Sequence, residues 1–98
     1  MVKRSRNWDE SLANRLKDTE YAAEFLLALI EEGENLQNAL STLIKSYGVT
    51  EYADLAGIQE SNIHRAIDPE HNPTQKTLET LLKPLGLTLS VKKEDDVA

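Results

Sequence analysis

Ninety-eight residues, with 17 acidic against 11 basic side chains and a formal charge of −6, point first to one small acidic domain. That charge argues against an indiscriminate nucleic-acid binder. The absence of cysteine excludes disulfides, thiolate metal sites and cysteine nucleophiles, and fits a reducing compartment.

The charge is unevenly spread. Residues 1–6 carry three basic side chains and no acidic one, residues 7–33 carry seven acidic against two basic, and residues 49–71 carry five acidic with Arg65 the single formal cation. The basic start, Lys3, Arg4 and Arg6, has no apolar stretch of the signal-peptide kind, and residues 1–7 read as a basic, flexible arm. The longest apolar run, Phe25 to Ile30, is far too short to span a bilayer, so a cytoplasmic protein with no membrane partner is expected.

In chain order the pattern is helical almost throughout. Trp8, Leu12 and Leu16 make a short amphipathic turn or two. Asp18 is a candidate N-cap for a helix whose stripe is Tyr21, Phe25, Ala28 and Leu29, and Gly33 suits its C-terminal end. Leu26, Leu27 and Ile30 widen that stripe beyond what one neighbouring helix covers. Phe25, Leu26, Leu27 and Ile30 are therefore the candidate partner-binding residues within an N-terminal helical segment, 8–33. Leu36, Leu40, Leu43, Ile44 and Tyr47 mark a third helix, closed by Gly48.

Then follows "YADLAGIQESNIHRAID", helical on both sides of Gly57. A glycine inside a helix costs roughly 1 kcal/mol against alanine, but it turns the chain readily through positive φ. The expected arrangement is one helix over 49–56 and another over 59–67, meeting at a sharp corner. Tyr52, Ala53 and Ala56 would form the inner face of the first, Ile63, Ala66 and Ile67 that of the second, and Ile58 would plug the corner. Pro69 and Pro73 make "DPEHNP" a loop, and Thr74 caps a helix carrying Leu78, Leu81 and Leu82. In "LTLSV", residues 87–91, the alternation of Leu87, Leu89 and Val91 with Thr88 and Ser90 predicts a short β-strand before a charged, flexible tail, 92–98. The expected fold is all-α, of about five helices with one C-terminal strand.

The stretch "YADLAGIQESNIHRAI" resembles the helix-turn-helix of lambda-repressor-type (Xre-like) regulators, with Ala53, Gly57, Ile58 and Ile63 in the characteristic places. "NPT…TLETLL…LGLTLSV" and "EYAAEFLLALIEEG" resemble a narrower group, the small addiction-module antidote proteins, and together the similarities run from about Asp18 to Val91. The resemblance implies a lambda-repressor-like domain, with DNA-binding helices over 34–86 and the helix-turn-helix at 49–67. It also implies an antitoxin of a type II toxin–antitoxin module that represses its own operon and neutralises a RelE-like toxin. Pro84, where the group keeps continuous helix, and Glu60, where an amide is common, depart from the pattern.

Carried over by position, Glu60, Ser61 and Arg65 become the base readers on double-stranded operator DNA, flanked by Asn62 and His64. The chemistry suits them: a carboxylate accepts from a cytosine amino group, and a guanidinium pairs with guanine in bidentate fashion. Gln59 at a helix start, Thr50, Thr74 and Lys76 are the phosphate candidates. The strand suggests antiparallel pairing of two subunits, a homodimer offering two recognition helices about 34 Å apart.

Two other readings stay open. One is a protein-interaction module that neutralises a toxin with weak or no DNA binding, and the other a stand-alone prophage-type regulator. Asp68, Glu70 and His71 read as an exposed turn rather than a metal site. No nucleophile–base pair, phosphate-cradling glycine loop or paired-carboxylate site stands out, so neither an enzyme nor a cofactor is expected.

Overall fold

A computed structural model describes residues 11–91. The basic arm, Trp8 and the charged tail expected from the sequence lie outside the described residues. Residues 11–16 are helical (α1), followed by α2 (Thr19–Glu31), α3 (Leu36–Tyr47), α4 (Val49–Ala56), α5 (Glu60–Ile67), α6 (Gln75–Leu82) and a 3-10 turn, Lys83–Leu85.

The helix ends follow from local chemistry. The Asp18 carboxylate accepts from the Glu20 backbone N–H at 3.0 Å, and the Thr74 hydroxyl from that of Thr77 at 3.1 Å, the two caps expected. A third cap, unanticipated, is Asn35, which accepts from the Asn38 N–H at 2.8 Å. Gly48 alone separates α3 from α4, at φ +114°, and a β-carbon there would collide with the Glu51 side chain. Gly57 ends α4 in the left-handed region at φ +73°, and the Gly57 and Ile58 N–H groups both donate to the Ala53 carbonyl.

α3 is the central helix, packed against α2, α4 and α5. It buries Ala39, Leu40, Leu43, Ile44 and Tyr47, and the core is completed by Leu16, Ala22, Leu26, Tyr52, Ala53, Ile63, Ala66, Ile67, Leu81, Leu82 and Leu85. Tyr52 crosses this core edge-on to Tyr47, ring centroids 5.1 Å apart, and its hydroxyl donates to the Leu81 carbonyl at 2.6 Å. That bond satisfies the one polar atom that burying the Tyr52 ring takes into the interior. Burial, with a second contribution from Tyr47, pushes the Tyr52 hydroxyl well above its ordinary pKa of 10.0, so it remains a donor.

One expectation is corrected here. Residues 87–91 form no strand; among the described residues every regular element is helical. The alternation that predicted a strand is used differently: Leu87 and Leu89 pack against the chain's own core, while Val91 is 99% exposed. Alternating burial needs only one apolar surface beneath an extended segment, and the helices supply it. Pro84 also has a place, since the chain leaves α6 as a 3-10 turn, where a missing N–H is tolerated, and Gly86 then reverses its direction.

Candidate functional site

The corner at Gly57 divides α5 into two chemistries. Ile63, Ala66 and Ile67 are buried, whereas Glu60, Ser61, Asn62, His64 and Arg65 are all exposed. Ile58 sits half-buried in the corner, against the core. Gln59 is the N-cap, extended at φ −73° and ψ 145°, with no side-chain capping bond, so its amide is not spent on the helix end.

Glu60 is held from two sides. One carboxylate oxygen accepts from the Thr50 hydroxyl at 3.1 Å, and the other lies 3.7 Å from His64 Nε2. The first bond ties the start of α4 to the start of α5 and occupies the Thr50 hydroxyl. These exposed contacts contribute little stability.

Arg65 and Asn62 form one wall of a groove of about 390 Å³ whose far side is the loop after α5 and the beginning of α6. His71, Asn72, Thr74, Lys76 and Thr77 line that far side. The structure thus brings together Arg65, Lys76 and Thr74, which lie apart in sequence, and adds His71. The Thr74 hydroxyl is committed to the cap of α6 through both Thr77 N–H and Thr77 Oγ1; Lys76 is exposed.

Behind this groove stands a residue that sequence reasoning passed over. The side-chain amide nitrogen of Gln37 on α3 donates to the carbonyls of Ala66, Asp68 and His71 at 2.8, 2.9 and 2.9 Å. An amide has two hydrogens, so one of them is shared. Gln37 closes the end of α5 and fixes the loop against α3. Nothing in the sequence around Gln37 distinguishes it from a surface glutamine. The loop is further shaped by Asp68, whose carboxylate accepts from the Glu70 N–H at 2.9 Å and lies 3.3 Å from His71 Nδ1. The hydrogen bond from Glu70, and secondarily His71, hold the Asp68 carboxyl below its ordinary pKa.

The partner-binding candidates separate by depth. Leu26 is fully buried, a core residue and not part of an outer surface, because it lies on the side of α2 that meets α3. Phe25 is half-buried against the core, while Leu27 and Ile30 are 49% and 38% exposed. The carboxylates Glu20, Glu24, Glu31, Glu32 and Glu34 are exposed, and helical spacing sets the first three along one flank of Leu27.

Among the described residues no group of three or more His, Asp or Glu side chains is placed to hold a metal ion, and no helix is long and apolar enough to cross a membrane. The family model described as "Probable addiction module antidote protein" matches residues 7–93, and the chain belongs to that family. No curated protein and no solved structure matches the chain.

Proposed function

We propose that this addiction-module antidote is a sequence-specific DNA-binding repressor of the type II antitoxin kind, with α4 and α5 as its helix-turn-helix. The observation that carries the reading is the division of α5: three buried residues anchor it, and every side chain of its polar side is exposed beyond the Gly57 corner. A short helix held in this way offers its outer side and N-terminal end to a major groove. In this reading Arg65 pairs with a guanine, and Ser61, Asn62 and His64 read neighbouring edges. Glu60 accepts from a cytosine amino group, oriented by Thr50. Gln59, whose side-chain amide is free, and Lys76, by its charge, position the DNA backbone, while Thr50 and Thr74 spend their hydroxyls on orienting Glu60 and on capping α6. Residues 87–91 form no strand to pair two copies, so a dimer with recognition helices about 34 Å apart, which would offset the weak affinity of a single acidic subunit, needs another surface.

The experiment is a mobility-shift titration on the DNA upstream of the chain's own gene, at two salt concentrations. Arg65→Ala should lose about 1–3 kcal/mol and relax the preference at one base pair. Lys76→Ala should weaken binding to every sequence and reduce the salt slope by about one. Equal binding by wild type and Arg65→Ala across operator variants would remove Arg65 from the readout.

A second reading is favoured by the acidic surplus over 49–71 and by the exposed Leu27 and Ile30: an antidote that acts by binding its toxin, with DNA binding weak or absent. Toxin capture by a chain that fails to shift any upstream DNA would select it.

A further inference from the structure

We propose that the outer side of α2 is the surface on which the antidote takes its toxin, and that the toxin meets it with an apolar patch flanked by lysine and arginine. The proposal rests on the toxin-neutralising reading and deepens it by naming the face and the chemistry of the partner.

Three observations converge on α2. Helical spacing aligns Ala23, Leu27 and Ile30, at i, i+4 and i+7, and the last two are substantially exposed. Glu20, Glu24 and Glu31 run beside them at the same spacing, and Glu32 and Glu34 continue the carboxylates past the helix end. From Thr19 to Glu34 there are five acidic side chains and no basic one.

The third observation is that, apart from Glu20 in the first turn, this charge pattern works against the helix. Carboxylates at the C-terminal end oppose the helix dipole, and the last turn of α2 contains no basic residue to offset Glu31 and Glu32. A face selected only to be wet would mix charges or place lysine there. A face that meets a cationic protein gains from this arrangement through steering and complementarity.

The same charge disfavours two occupants, and leaves the chain's own basic residues Lys3, Arg4 and Arg6 as the rival that the test separates. A second copy presenting its own α2 would set carboxylates against carboxylates, and a nucleic acid would be repelled. A cationic protein surface with an apolar centre matches both components, the leucine and isoleucine as a buried centre and the carboxylates as a polar rim.

The test uses the full chain and the toxin of its own addiction module, with binding followed by surface plasmon resonance at low and high salt. Leu27→Glu should weaken the complex roughly thirtyfold or more, as expected of a central interface residue. The free variant should keep the helix content, melting temperature and sedimentation coefficient of wild type. Glu24→Lys with Glu31→Lys should slow association by about tenfold at low salt and flatten its salt dependence, leaving dissociation less changed. Wild-type affinity in both variants would overturn the proposal while leaving toxin capture intact. A free Leu27→Glu chain with altered melting or sedimentation would also overturn it, assigning the face to the chain's own copies or ends. If wild type itself captures no toxin, the toxin-neutralising reading falls, a result distinct from either.

Discussion

α2 and α5 expose opposite chemistries from the same core. Both pack on α3. Beyond that contact, α2 shows solvent an apolar pair among carboxylates, whereas α5 shows five polar or charged side chains beside a groove that holds Arg65, Lys76 and His71. α2 runs 13 residues and starts from a side-chain cap; α5 runs eight and has none. A short helix without a side-chain cap depends on its surroundings, and α5 has them in the Gly57 turn, the Thr50–Glu60 bond and the Gln37 amide. The difference separates, by charge, the surfaces assigned to the two proposed partners. A polyanion is repelled from α2, and a cationic protein gains little at a groove lined with Arg65 and Lys76.

The contrast is sharpest, and most easily broken, at adjacent positions of α2. Leu26→Ala should cost about 2–5 kcal/mol in urea denaturation, because it empties a site in the core. Leu27→Ala, one residue on, should stay within about 0.5 kcal/mol of wild type, as a surface substitution does. Equal losses at the two positions would mean that α2 has no free face.

Next in size is Tyr52→Phe, which leaves the Leu81 carbonyl buried without its donor. A loss of about 1–3 kcal/mol is expected, read from the denaturation midpoint at unchanged m-value. Gln37→Leu should cost about 1–2 kcal/mol by freeing the carbonyls of Ala66, Asp68 and His71. Its effect should also be one-sided, weakening binding to upstream DNA and sparing toxin capture. Equal weakening of both would show the two regions to be coupled.

Gly57→Ala meets no steric obstacle, since a β-carbon there has nothing within 4 Å. It should still cost about 1 kcal/mol through the positive φ alone. The smallest effect belongs to Asp68. Its carboxyl sits below the ordinary value of 3.8, so its stabilising contribution is present above that pH and is lost as pH falls through the lowered value. Asp68→Asn should therefore flatten the acid limb of the stability–pH curve slightly, and an unchanged limb would show the turn to be energetically idle.

What the sequence by itself determined is local. Asp18 and Thr74 cap their helices with their own hydrogen bonds, and Gly57 turns the chain through its own backbone freedom. The inner and outer sides of α5 follow from helical periodicity, because Ile63, Ala66 and Ile67 can share only one side. The tertiary structure decided whatever depends on the approach of distant segments. α2 is apolar over so wide an arc that only the positions of α3 and the 3-10 turn, both packed on it, send Leu26 inward and leave Leu27 outside. The alternation of Leu87 and Leu89 suits a strand edge and a core surface equally, and the nearby helices settled it in favour of the core. Gln37 finds its acceptors 29 to 34 residues away, and the groove joins Arg65 to His71 and Lys76 across a loop. A hydrogen bond or groove of that kind exists only once packing has fixed both sides, so no local pattern in the chain encodes it.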